Sequence, residues 1–288
     1  VEWFTDALAG FHFEWWQVAL ILLAGLWAGL INTIVGSGTL VTFPVLVTMG
    51  VPPVTATMSN AMGLIAGNLT GAWGYRSKLK GVEHTLLKLV PCSVLGGVVG
   101  AALLMLLPEE VFAYVAPVLI VVALAFVVFQ PRLQAAVRAR KDRQAERAAE
   151  LARTRGEDPG SVDPDRGSQP FILYVLVFLA GVYGGYFVAA QGVLLLGILG
   201  VFLLASMQSA NAVKTVLVAV VNIVAAISYI IFAADRIDWW VVLLIAVSST
   251  VGSWMGAKIG QRLSPVALRT VIVILGVVAL ANMVRQLL

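Results

Sequence analysis

The stretch 24-AGLWAGLINTIVGSGTL-40 decides how this chain is read, because it returns as 180-AGVYGGYFVAAQGVLLL-196. Gly25, Gly29 and Gly36 of the first copy fall on Gly181, Gly185 and Gly192 of the second. The correspondence continues in order along the chain. "SNA" at Ser59–Ala61 matches "ANA" at Ala210–Ala212, and Asn68 lies near Asn222. "GVEHTLLKLV" from Gly81 parallels "RIDWWVVLLI" from Arg236, Gly97 meets Gly252, and "LPEEV" meets "LSPVA". Chance explains one such match but not their common order, so the chain is a duplicated unit.

The solvent of that unit follows from composition. Hydrophobic residues make up 60% of the chain, charged residues 12%, and the mean hydropathy is +0.95. One soluble core cannot hide so much apolar surface, whereas a bilayer core takes about 20 apolar residues per helix. The fold class expected is therefore all-α integral membrane, built of two inverted repeats of about five segments each. In the first repeat the segments run over about 15–35, 39–50, 53–75, 83–106 and 110–130. In the second they run over about 170–190, 193–205, 207–233, 239–260 and 265–287. Each second segment is too short to cross and follows a break, "GSG" at 36–38 or "AQG" at 190–192. These read as broken or re-entrant helices. The segment from Trp15 is too long and too apolar for a cleaved signal. The lone Cys92 excludes an internal disulfide.

Three domains are expected: residues 1–130 and 170–288 as transmembrane repeats, and 131–169 as a cytoplasmic helical extension and linker. "RLQAAVRARKDRQAERAAELAR" is Ala-rich with Glu/Arg pairs near i,i+4 spacing, whereas "TRGEDPGSVDPDRGSQP" is rich in turn formers and reads as a mobile tether.

Basic residues set orientation. With five passes per half and both termini outside, Arg76, Lys78, Lys80, Lys88, Lys258, Arg262, Arg269 and the nine basic residues of the central segment face the cytoplasm. Only Arg236 and Arg285 face out. Four passes per half would export Lys258, Arg262 and Arg269. An odd number of passes inverts the halves, a common transporter plan. The pI of about 9.4 thus reflects a plasma-membrane orientation rather than nucleic acid.

Non-helical backbone in hydrocarbon is tolerated only where protein or a water-filled cavity satisfies it, and a helix starting after a break aims free N–H groups at that cavity. "NTIVGSGT" and "AAQGV" therefore suit an oxyanion. Glycine kinks for close packing are the plainer alternative, and Gly63, Gly67, Gly71, Gly252, Gly256 and Gly260 are read as packing. His12 is placed at the membrane interface. Lys214 stands in "SMQSANAVKTVLVAVVNIVAAISY" (206–229), with no other charge from 167 to 234. Asn211, Thr215, Val218 and Asn222 share a helical face with Lys214 at its edge. A central lysine costs about 2.5–3.5 kcal/mol on insertion scales. It either snorkels to the inner surface or finds its missing counter-ion in the substrate.

These stretches, together with the pattern Ala210-Asn211-Ala212-x-Lys214, resemble the TauE/SafE sulfite exporter family. The resemblance covers the chain outside 131–169. It implies a multi-pass carrier of sulfite, sulfonates or related small organic anions, often an exporter. The family pattern has further glycines where this chain carries Ser37 and Thr39. The reading is a secondary transporter of a small anion working by alternating access. Asn32, Gly36, Ser37, Gly38, Thr39, Gln191 and Gly192 shape the cradle, and Asn60, Asn211, Lys214 and Thr215 line the site between the repeats. No cofactor and no metal are expected. The partners are the anion and the lipid bilayer. The coupling ion is open, with a proton at Glu83–His84 as a candidate, and a homo-oligomer is compatible with this reading. An anion channel is the alternative, then an intramembrane enzyme, which two histidines without metal spacing disfavour.

Overall fold

The computed structural model describes residues 13–155, 169–203, 205–259 and 265–287. His12, the tether at 156–168, Gly260 and Arg262 lie outside the described residues. Among the described residues ten α-helices follow one another: α1 Trp15–Ile34, α2 Thr39–Thr48, α3 Pro53–Gly74, α4 Glu83–Leu106, α5 Glu109–Arg155, α6 Phe171–Tyr186, α7 Gln191–Phe202, α8 Met207–Phe232, α9 Trp239–Ile259 and α10 Pro265–Leu287. Local chemistry sets their starts. Glu14 and Gln17 form a reciprocal capping box at α1, Pro53 opens α3, and the Ser206 hydroxyl accepts from the Ser209 N–H at α8. Helix α5 runs on to Arg155 through Pro117 and Pro131, with no interruption where the apolar run ends.

Among the described residues, α1, α4, Glu109–Arg132 of α5, α8 and α9 are long and apolar enough to cross a membrane. Helix α3 matches them in length, but its Thr, Ser, Asn and Gly residues lower its hydropathy and much of it is buried. Apolar side chains such as Trp15, Trp73, Leu106, Phe171 and Phe232 are exposed on the outside, where lipid is the solvent that suits them.

The packing exchanges the halves. Helix α9 lies on α1 and α4 on α6; α9 also packs on α3 and α4 on α8. Helices α2 and α7 pack on α10 and α5 respectively, while α3 meets α8 and α5 meets α10 across the middle. Replacing each helix by the one five places on maps every one of these pairs onto another or onto itself. The interlocks obey the same exchange. A Cβ on Gly29 would lie 2.2 Å from the Ser249 carbonyl oxygen, and one on Gly185 2.5 Å from that of Gly97. A Cβ on Gly252 would lie 1.9 Å from the Leu26 oxygen, and one on Gly100 2.2 Å from that of Val182. Gly252 therefore corresponds to Gly100, not to Gly97 as the sequence match has it. Helix α4 offers Gly96, Gly97 and Gly100, and only the approach of a partner carbonyl distinguishes them.

Polar contacts fix which ends of the bundle coincide. Arg236 pairs with Glu109 at 3.6 Å, and the Asp238 N–H donates to the Ser59 hydroxyl at 2.8 Å. The start of α5, the first turns of α3 and the α8–α9 turn thus share one end. At the other end, the turn Arg76–Lys78 packs against α8. With short segments that dip and return, Glu109 and Arg236 would lie at opposite ends.

Candidate functional site

The two breaks touch. Gly36 has φ +94°, and a Cβ there would lie 2.7 Å from the carbonyl carbon of Gly192; one on Gly192 would lie 2.6 Å from the Gly36 oxygen. Both positions require glycine, because backbone passes against backbone at equivalent points of the two repeats. Thr39 and Gln191 begin α2 and α7; the Leu40 and Val41 N–H groups donate to the Ser37 and Gly38 oxygens, and those of Gln191 and Val193 to the Val188 and Ala190 oxygens. The candidate cradle thus carries two helix N-termini on opposite sides of one crossing.

The C-terminal end of α1 comes in from the opposite direction, and its carbonyls are taken up by side chains. Lys214 Nζ donates to the Asn32 oxygen at 3.0 Å, Asn211 Nδ2 to the Thr33 oxygen at 3.2 Å, and Gln130 Nε2 to the Val35 oxygen at 3.4 Å. A cation beside a helix C-terminus is favourable, and this one is 1% exposed. Lys214 therefore does not snorkel. Its stem turns inward, since the partial charge at the end of α1 offers a better partner than two turns of apolar helix. The side chain of Asn32 donates to Asn68 Oδ1 across to α3, and the Thr215 hydroxyl bonds back to the Asn211 oxygen at 2.8 Å.

What lacks a partner is as informative. Among the described residues, Lys214 is the one buried charged side chain, and no Asp, Glu or His is buried with it. Buried polar atoms without a hydrogen bond include Ser37 Oγ, both amide atoms of Gln191, Asn68 Nδ2, Asn211 Oδ1 and both amide atoms of Asn222. Leaving a buried polar atom unpaired costs about 1–3 kcal/mol. Of these, Ser37 and Gln191 stand in the breaks themselves, and Asn211 caps the end of α1.

The sequence-derived residues fall into three sets. Asn32, Asn211, Lys214 and Thr215 come together at the end of α1. Gly36, Ser37, Gln191 and Gly192 form the crossing. Thr39 and Asn60 form a third network with Thr42, which donates to Asn60 Oδ1 while Asn60 Nδ2 donates to Thr39 Oγ1 at 3.3 Å; it ties α2 to α3 and is already satisfied. Gly38 packs against α1, where a Cβ would lie 2.2 Å from the Ala28 oxygen. Glu83 and His84 are both exposed at the start of α4, where Glu83 Oε2 accepts from the Gly81 N–H at 2.7 Å. Sequence reasoning missed Gln130 and treated Asn68 only as a repeat marker. The signal for Gln130 was its place at the end of an apolar run, where it reads equally well as a surface residue.

A family model, "Sulfite exporter TauE/SafE", matches residues 21–283. "Probable membrane transporter protein ORF9" from Sinorhizobium sp is 26% identical over 250 residues, covering 85% of this chain and 82% of that protein. No solved structure matches. The chain belongs to the TauE/SafE sulfite exporter family, a family of membrane transporters and not of enzymes.

Proposed function

We propose that the protein is a secondary carrier that exports a small sulfur-containing anion, sulfite or a sulfonate, across the plasma membrane by alternating access. The anion binds where the two breaks cross, between Lys214 and the N-termini of α2 and α7. One observation carries this reading: a fully buried lysine with no buried carboxylate among the described residues, in a bundle whose two breaks hold a hydroxyl (Ser37) and an amide (Gln191) that lack partners. The Asn32 carbonyl and the partial charge of α1 offset only part of one positive charge. A bound anion supplies the remainder and gives the free donors an acceptor. The exchange of packing partners and the ends shared by Glu109 and Arg236 support two inverted repeats, and the distribution of basic residues favours a cytoplasmic central segment with both termini outside.

The test is thermal unfolding of the purified protein with sulfite, sulfonates, thiosulfate, sulfate and carboxylates. A true ligand at about a hundred times its Kd adds about 2.7 kcal/mol of stability. Stabilisation by sulfite or sulfonates, and weaker or none by carboxylates, is expected; indifference to all of them refutes the site. Orientation is checked separately. In a Cys92→Ala background, cysteines placed at Glu109 and Asp235 should react with an impermeant thiol reagent from outside. Saturation and counterflow of the transported anion separate a carrier from a pore.

A further inference from the structure

Charge balance at Lys214 identifies the coupling ion. Resting on the anion-site reading above, we infer that Lys214 carries the coupling proton: its amine is neutral in the empty carrier and becomes an ammonium as the anion enters. One proton and one monovalent anion are then loaded and released together.

Lys214 Nζ has one acceptor, the neutral Asn32 oxygen at 3.0 Å, and is 1% exposed. No element packed against it supplies a buried balancing charge among the described residues. Helices α1, α3 and α7 contribute no charged residue. Helix α4 contributes Glu83, His84 and Lys88, all exposed in its first two turns, and Cys92 further in. The short turns beside α8 contribute Arg76, Lys78, Asp235 and Arg236, also exposed. Helix α6 contributes the phenols Tyr174, Tyr183 and Tyr186, α8 itself contributes Tyr229, and Tyr75 lies beside Asn211. Phenols are neutral at ordinary pH and neutralise no ammonium. An empty site thus holds a charged lysine only at the full cost of an unpaired interior charge. With an anion present, the ammonium and the anion neutralise each other. Binding therefore takes a proton from water onto Nζ; on release it returns to water on the other side as the anion leaves. For a monovalent anion no net charge moves.

The probe is methanesulfonate, with sulfate as a second ligand; the charge of methanesulfonate is constant between about pH 5 and pH 10, so any proton taken up belongs to the protein. Calorimetric binding in buffers of different ionisation enthalpy counts those protons. The expected result is about one proton per methanesulfonate, with affinity falling about tenfold per pH unit wherever the free amine is neutral. Lys214→Arg should bind with no proton uptake and a flat pH profile, since a guanidinium stays charged. In proteoliposomes a pH gradient should drive uptake, and an imposed potassium diffusion potential should not. Binding without proton uptake across that range overturns the inference but leaves the anion site standing. Equal uptake by the Lys214→Arg protein also overturns it, because the proton then resides elsewhere. If methanesulfonate, sulfate and sulfite all fail to bind, the site reading fails and takes the inference with it.

Discussion

The two breaks occupy equivalent places in the repeats but are built differently. In the first, Gly36 supplies the left-handed turn that glycine adopts freely, and three donors from elsewhere cap the end of α1, one of them charged. In the second, Val188 and Ala190 hold φ of 66° and 58°, where residues with a Cβ are strained. There α6 ends with one side-chain donor, the Tyr229 hydroxyl on the Gly185 oxygen at 2.8 Å, and both amide atoms of Gln191 are unpaired. The first break leaves the Ser37 hydroxyl unpaired but carries no strained residue; the second combines strain at two residues with both unpaired amide atoms of Gln191. A binding event has more to gain at the second, while the first supplies the charge.

The comparison breaks most severely at the contact itself. Gly36→Ala adds a methyl to a left-handed backbone that already touches Gly192. The left-handed cost of about 1–2 kcal/mol and an overpacking cost of about 1–3 kcal/mol come together to about 2–5 kcal/mol, a large share of the roughly 5–15 kcal/mol that holds a typical domain folded. Loss of the folded protein, or a large fall in its unfolding temperature, is expected. Near-normal stability would mean that the two breaks do not cross as described.

Lys214→Met comes next and separates charge from structure. The variant removes an amine that is buried without an anion only by giving up its proton, a cost of a few kcal/mol like that of a central lysine on insertion scales, and leaves the Asn32 oxygen without its donor, a cost of about 1–3 kcal/mol. The ligand-free protein should therefore be as stable as the parent or slightly more so. Sulfonate binding should weaken by about 30-fold or more, in line with about 2–5 kcal/mol for one partner of a buried charge pair. If stability collapses while binding survives, Lys214 is a cap on α1 and nothing more.

Gln191 tests the other break. Gln191→Met keeps an unbranched chain of similar length and deletes two unpaired polar atoms. An increase in stability of about 1–3 kcal/mol without ligand is expected, together with a smaller ligand-induced shift than the parent shows. Unchanged ligand stabilisation would remove Gln191 from the site.

Much of this was legible in the sequence, for physical reasons that differ between fold and site. Helix limits were marked by residues that cannot continue a helix or that start one: Gly36, Gly38, Pro52, Pro53, Pro170 and Ser206. Lys214 was visible because a charge inside an apolar run has no cheap explanation. Its partner was not, because spacing along α8 says which face Lys214 occupies and nothing about the α1 carbonyl beyond it. The snorkelling alternative failed for the same reason. Asn60 was grouped with Asn211 because the repeat aligns them, yet Asn60 is satisfied by Thr39 and Thr42 and Asn211 is not. Equivalent positions in a duplicated chain share backbone geometry, and their side chains have diverged.

The smallest expected effect tests whether the strain in the second break is real. Ala190 is the residue before α7, with φ 58° and ψ 8°, and is 1% exposed. Glycine there relieves about 1–2 kcal/mol of left-handed cost, loses one buried methyl worth about 0.8 kcal/mol, and adds chain entropy to the unfolded state. These nearly cancel, so Ala190→Gly should unfold within about 1 kcal/mol of the parent. The same exchange at an unstrained buried alanine inside a helix, such as Ala225 of α8, loses the methyl and about 1 kcal/mol of helix propensity with nothing in return. It should cost about 2 kcal/mol. The contrast between the two variants, read as the difference in their unfolding temperatures, is the measurement. Equal losses would show that Ala190 carries no strain, and the asymmetry of the two breaks would then rest on their polar groups alone.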